Sequence, residues 1–145
     1  MKNIIRKIKE SGKGFTLIEL LIVVGIIGIL STLLMANFIG VRQRARDAQR
    51  KSDLRQIQSA LEIYRSDQST YPTTLTCGGS LTGGTPSTTY MAKVPCDPST
   101  GSSYSYTSTG ATYTLYACLE NSNDSQLDST NKCSGTTYSF TVQNP

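Results

Sequence analysis

Chemistry in this sequence concentrates near its start, at Gly14, Phe15 and Glu19. Glu19 is the single charge in a tract of 27 residues, Phe15 to Val41, that is otherwise uncharged and mostly apolar. An acid at the centre of a membrane helix costs about 2.5 to 3.5 kcal/mol on insertion scales, and less near the interface. One reading leaves Glu19 hydrated among headgroups; the other gives it a cation. Cleavage after Gly14 would create that cation, since it removes only the residues before the tract and leaves a new α-amine on Phe15, one helical turn from Glu19. Opposite charges attract strongly in a low-dielectric helix bundle, and neither is stable there alone. Such a pair suits setting register between helices better than adding stability.

Other chemistry is excluded or weak. The chain has no histidine, so no Ser-His-Asp or Cys-His relay can form. Ser129 and Lys132 match a Ser-x-x-Lys spacing, but without companion motifs this is a chance match. Asn123-Asp124-Ser125 is a glycosylation sequon in form only. The formal charge of +4 resides in the first 14 residues, where five bases meet one acid; from Phe15 onward nine bases balance nine acids. This is poor support for nucleic-acid binding. Arg42, Arg44, Arg46, Arg50, Lys51 and Arg55 are spread around a helix, and Asp47 with Lys51 makes a favourable i,i+4 pair. Interfacial anchoring and pairing between subunits account for them, and neither a specific nucleic-acid partner nor a cofactor is expected.

The tract that carries Glu19 exceeds the roughly 20 residues needed to cross a bilayer core. It is also longer than the apolar region of an ordinary secretory signal. Basic residues flank it almost equally on both sides, so charge alone leaves orientation nearly tied. Cys77, Cys96, Cys118 and Cys133 decide it: with no C-x-x-C pair and no histidine to complete a zinc site, they read as disulfides, which places the C-terminal half outside the cytoplasm. Gly25, Gly28, Ala36 and Gly40 are small enough to let membrane helices approach, and Ala36 and Gly40 have small-x-x-x-small spacing.

No helix breaker follows Val41 until Tyr71-Pro72, so one helix is expected from about Thr16 to about Ser66. Leu54, Ile57, Leu61 and Tyr64 form a 3,4,3 stripe that should pack on the head, while Val41, Ala45, Ala48 and Ser52 lie roughly opposite. Residues 67–101 are rich in Ser, Thr, Gly and Pro and read mostly as loop. Strands are expected over Ser102 to Thr107, Ala111 to Leu119 and Thr136 to Val142, the first two joined through Ser108-Thr109-Gly110. Tyr113, Leu115 and Ala117 alternate on the second strand, and Tyr138, Phe140 and Val142 make the apolar face of the third. The fold class is therefore α+β: a long N-terminal membrane-spanning helix packed on a small antiparallel sheet of about three strands. Four cysteines allow three pairings; Cys77 with Cys96 and Cys118 with Cys133 are favoured because each closes a local loop. The second of these should contribute about 3 kcal/mol. The expected divisions are a basic leader at 1–14, a membrane helix at 15–41, its amphipathic continuation at 42–66 and a stapled head at 67–145.

The run Gly14-Phe15-Thr16-Leu17-Ile18-Glu19-Leu20, after a basic leader and before an apolar helix, closely resembles the class III signal of type IV pilins and pseudopilins. The resemblance implies cleavage after Gly14 by a prepilin peptidase and N-methylation of Phe15. It also implies filament assembly through Phe15, Thr16 and Glu19, with Glu19 pairing to the Phe15 amine of a neighbouring subunit. Family members often carry proline where this chain has Ala36. Tyr90-Met91-Ala92-Lys93-Val94-Pro95-Cys96-Asp97-Pro98, followed by Tyr104-Ser105-Tyr106, is similar to the major pseudopilin of type II secretion. That similarity implies a loop after the second strand able to hold calcium; Glu120, Asp124 and Asp128 are the weak candidates, since the family's Gly and Asp placement is missing. The first expectation is thus a non-enzymatic subunit of a type IV pilus, held in the cytoplasmic membrane with its N-terminus inside, then extracted into an extracellular or periplasmic filament. Its partners would be its own copies in a helical homopolymer, the peptidase and N-methyltransferase, inner-membrane assembly machinery and minor pilins. The alternatives are a type II secretion or competence pseudopilin and, from another class, a single-span anchor displaying a binding domain.

Overall fold

The computed structural model describes residues 14–144. The expected leader, apart from Gly14, lies outside the described residues, as does the side chain of Ala36 and with it the small-residue spacing to Gly40. The chain divides into two units, residues 1–39 and 40–145.

A single helix, α1, runs from Leu17 to Gln68 and contributes to both units. In the first unit it passes without interruption through Gly25 and Gly28, and a Cβ at either would meet nothing within 4 Å. The hydroxyls of this apolar stretch are satisfied locally: Ser31 donates to the Ile27 carbonyl at 2.7 Å and Thr32 to that of Ile29 at 2.8 Å. Leu17–Met35 is long and apolar enough to cross a membrane, and none of it is buried within the chain.

In the second unit α1 lays Leu54, Ile57 and Leu61 into the core, each at 1% exposure or less. Val41, Ala45, Ala48 and Ser52, the stripe on the other side of the helix, are all exposed. The helix stops at Ser69, whose φ of 62° is left-handed and whose N–H donates to the Arg65 carbonyl at 2.8 Å. Two antiparallel sheets follow. The smaller pairs β1 (Leu81–Gly83) with β2 (Thr88–Met91); the larger has the order β3-β4-β5, from Ser105–Ser108, Tyr113–Leu119 and Tyr138–Gln143. The β1–β2 hairpin lies inside the stretch expected to be loop, which corrects that reading. Its close fit explains Gly83: a Cβ there would stand 2.6 Å from the Tyr64 ring. Tyr64 in turn meets Tyr90 edge-on, with ring centroids 5.0 Å apart.

Strand β4 buries Tyr113, Leu115, Ala117 and Leu119 on one face, as its alternation requires. Strand β5 departs from the expected alternation. Phe140 is buried, but so is its neighbour Ser139, and Tyr138 is exposed. Ser139 is covered because its N–H donates to Asn131 Oδ1 and its hydroxyl accepts from the Lys132 N–H. Cys77 is bonded to Cys96, and Cys118 to Cys133.

Candidate assembly site

Thr16 immediately precedes the first helical residue, and Glu19 occupies the third position of the first turn. The Thr16 hydroxyl accepts from the Glu19 N–H at 3.3 Å, while Glu19 Oε2 accepts from the Thr16 N–H at 2.9 Å and from its hydroxyl at 2.8 Å. This is a capping box, which satisfies two N–H groups that a helix start would otherwise leave without partners. The arrangement fixes the carboxylate against the helix start and commits only one of its oxygens. Oε1 accepts no hydrogen bond among the described residues. Both N–H groups of the box survive a cut after Gly14, so the carboxylate stays oriented in the shortened chain. Phe15, which would carry the new amine, is 79% exposed. Neighbouring large apolar side chains from Leu17 to Val41 are exposed as well, so the acid sits at the head of a helix face that no other described residue covers.

The second unit carries a charge cluster centred on Arg50, whose side chain is 3% exposed. Its guanidinium donates to both carboxylate oxygens of Asp97 at 2.7 and 3.2 Å, to Asp47 and Glu120 at 2.8 Å each, and to the Ser99 hydroxyl at 2.6 Å. Asp47 also accepts from the N–H groups of Glu120 and Asn121. Arg46 forks onto Glu120, and Lys51 reaches Asp124 at 2.7 Å. The anticipated Asp47–Lys51 pair is therefore replaced by Asp47–Arg50, one residue closer on the helix. Arg46, Arg50 and Lys51 are thus bonded to acids of the head. The Arg46 and Arg50 hydrogen bonds hold the Glu120 carboxyl at about 2. Burial opposes ionisation of Asp97, but the bonds from Arg50 and Ser99 prevail and hold it well below the usual carboxylate range.

Residues resembling the secretion pseudopilin join the head to α1 and to the segment that follows it. Tyr90 accepts from Gln68, Asp97 takes Arg50, Tyr104 donates to the buried Asp53 at 2.7 Å, and Tyr106 donates to the Pro72 carbonyl. Glu62 accepts from the hydroxyls of both Tyr71 and Tyr113. The sequence suggests only a Lys51 partner for Asp47 and no role for Asp53 or Glu62. Asp47 lies one heptad before Leu54, on the face of the stripe, while Asp53 and Glu62 lie on its two opposite edges.

The calcium candidates do not converge. Glu120 is held by Arg46 and Arg50, Asp124 by Lys51, and Asp128 by Thr141 with Lys132 Nζ at 3.5 Å. Calcium takes six to eight oxygen ligands, and no cluster of three or more acidic, Cys or His side chains suited to a metal occurs among the described residues. These residues do not fit a calcium ion.

Comparison with known proteins adds two family matches. Residues 37–133 match the family model of type II secretion system protein G, and residues 11–35 match the prokaryotic N-terminal methylation motif. The chain belongs to the type II secretion protein G family. A type II secretion system core protein G from Dickeya chrysanthemi is 33% identical over 107 residues, 68% of this chain and 69% of that protein. The one from Klebsiella michiganensis is 41% identical over 66 residues, 46% of each chain. The type IV major pilin protein PilA of Myxococcus xanthus is 36% identical over 67 residues, 46% of this chain and 30% of that protein. The chain thus spans about half the length of the Klebsiella michiganensis protein. No solved structure matches significantly. The family is one of pilin-like structural subunits, not of enzymes.

Proposed function

We propose that this chain is a structural subunit that polymerises into a helical filament with its N-terminal helices as the core. A prepilin peptidase cuts after Gly14, and Phe15 is then N-methylated. Residues 15–41 hold the subunit in the cytoplasmic membrane with the N-terminus inside, until assembly machinery in that membrane extracts it and stacks it on its own copies. Residues 42–66 continue the helix, and residues 67–145, stapled by Cys77–Cys96 and Cys118–Cys133, form the outer head together with the Leu54, Ile57, Leu61 and Tyr64 stripe. Minor pilin-like subunits join the same filament.

The observation that carries this reading is the Thr16–Glu19 box directly behind Gly14, which orients a carboxylate at the head of an exposed apolar helix and leaves one oxygen for a cation. In the filament that cation is the Phe15 amine of a neighbour. The protein G match over residues 37–133 supports a type II secretion pseudopilus as the specific role, ahead of the pilus expected first from the sequence. The pilus stays as the second reading because of the likeness to PilA. Mass spectrometry of the mature N-terminus tests the processing step. It should find N-methylated Phe15; a chain still beginning at Met1, or cut elsewhere, contradicts the reading.

A further inference from the structure

We infer that the loop from Glu120 to Asp128 is closed onto the head by four of the chain's own cations, Arg46, Arg50, Lys51 and Lys132, in place of a divalent ion. The two oxygens of each acid are already committed. Glu120 Oε1 accepts from Arg46 Nε and Arg50 Nη1, both at 2.8 Å, and Oε2 from Arg46 Nη2. Asp124 Oδ2 accepts from Lys51 Nζ at 2.7 Å, and Oδ1 from the Gln126 N–H at 2.9 Å. Asp128 Oδ1 accepts from the Thr141 N–H at 3.1 Å, and Oδ2 from the Thr141 hydroxyl beside Lys132.

The cations come from outside the loop and tie it at three points. Arg46, Arg50 and Lys51 fasten its beginning and middle to α1, while Lys132 and Thr141 fasten its end beside β5. The Cys118–Cys133 bond brackets the same segment. A divalent ion entering at Glu120 has to displace a guanidinium. Arg50, at 3% exposure, has no solvent to turn to, so its displacement strands a buried charge. Lys51 and Lys132 are less covered, at 21% and 36%, but each is already paired, with Asp124 and Asp128 respectively. The arrangement supplies as fixed side-chain charge what a bound ion would otherwise bring, so the head folds without dependence on calcium. It does so whether or not the chain assembles.

The test uses the full-length chain in detergent micelles, melted in millimolar calcium and again in chelator, with a calorimetric calcium titration alongside. The wild-type Tm should agree between the two media within about 1 °C, with no stoichiometric heat. The double variant Lys51→Gln, Lys132→Gln should melt lower by the same amount in both media, and a protease should cut it faster between residues 120 and 132. A larger wild-type rise on adding calcium, or stoichiometric calcium heat, overturns the inference. So does a double variant that melts and is cut like the wild type.

Discussion

Replacing Arg50 with methionine keeps an unbranched stem and removes the guanidinium with every hydrogen bond it makes. Three carboxylates lose a partner, and they do so unequally. Glu120 keeps Arg46, and Asp97 keeps the N–H groups of Ser99 and Thr100 and the Ser99 hydroxyl. Asp47, only 2% exposed, keeps two backbone N–H groups but loses its one ion-pair contact among the described residues. Breaking a buried ion pair by removing one partner costs about 3 to 5 kcal/mol; the surviving hydrogen bonds place this case near about 3. At about 4 °C per kcal/mol, Tm should fall by about 12 °C. Arg46→Gln is the comparison, since its side chain is 33% exposed and Glu120 retains Arg50. It should cost about 1 kcal/mol. Thermal unfolding of both full-length variants, followed by circular dichroism, gives the two values. If Arg50→Met and Arg46→Gln lose equal stability, burial is not what makes Arg50 matter and the reasoning fails.

Acid should weaken the same cluster. The Glu120 carboxyl is lowered from 4.5 to about 2 in the folded chain, so its stabilisation is complete above about pH 4.5 and is lost as pH falls toward 2. Asp97, Asp124 and Asp128 are lowered as well and add to the same fall. A Tm that stays flat from pH 5 to pH 2 contradicts these shifts. Gly83→Ala should lose about 1 to 3 kcal/mol, because its Cβ would press into the Tyr64 ring at 2.6 Å; an unchanged melting curve means that Tyr64 can move aside.

What the sequence disclosed follows the reach of each physical signal. Leu54, Ile57, Leu61 and Tyr64 repeat at helical spacing, and Tyr113, Leu115 and Ala117 alternate along a strand, so both faces are visible as periodicity. The β1–β2 hairpin is not, because Leu81–Gly83 and Thr88–Met91 are short and rich in Thr, and Gly83 is chosen for its fit to Tyr64 rather than for strand propensity. Strand β5 misleads for a related reason, since Ser139 is buried by the hydrogen bonds of a loop distant from it in pattern. The Arg50 cluster joins residues 47, 50, 97 and 120, a coincidence of the tertiary fold that local spacing cannot reveal. At the N-terminus the reverse holds: Gly14, Phe15, Thr16 and Glu19 lie within six residues, so the whole candidate site is local. The structure adds to it the Thr16–Glu19 box.

The central claim is that Glu19 serves assembly and not anchoring. Filament yield from cells expressing Glu19→Ala, compared with wild type, measures it most directly, with membrane insertion and cleavage after Gly14 scored in the same cells. The account predicts a subunit that is inserted and processed normally and accumulates in the membrane with few or no filaments. Wild-type filament yield from Glu19→Ala would contradict it.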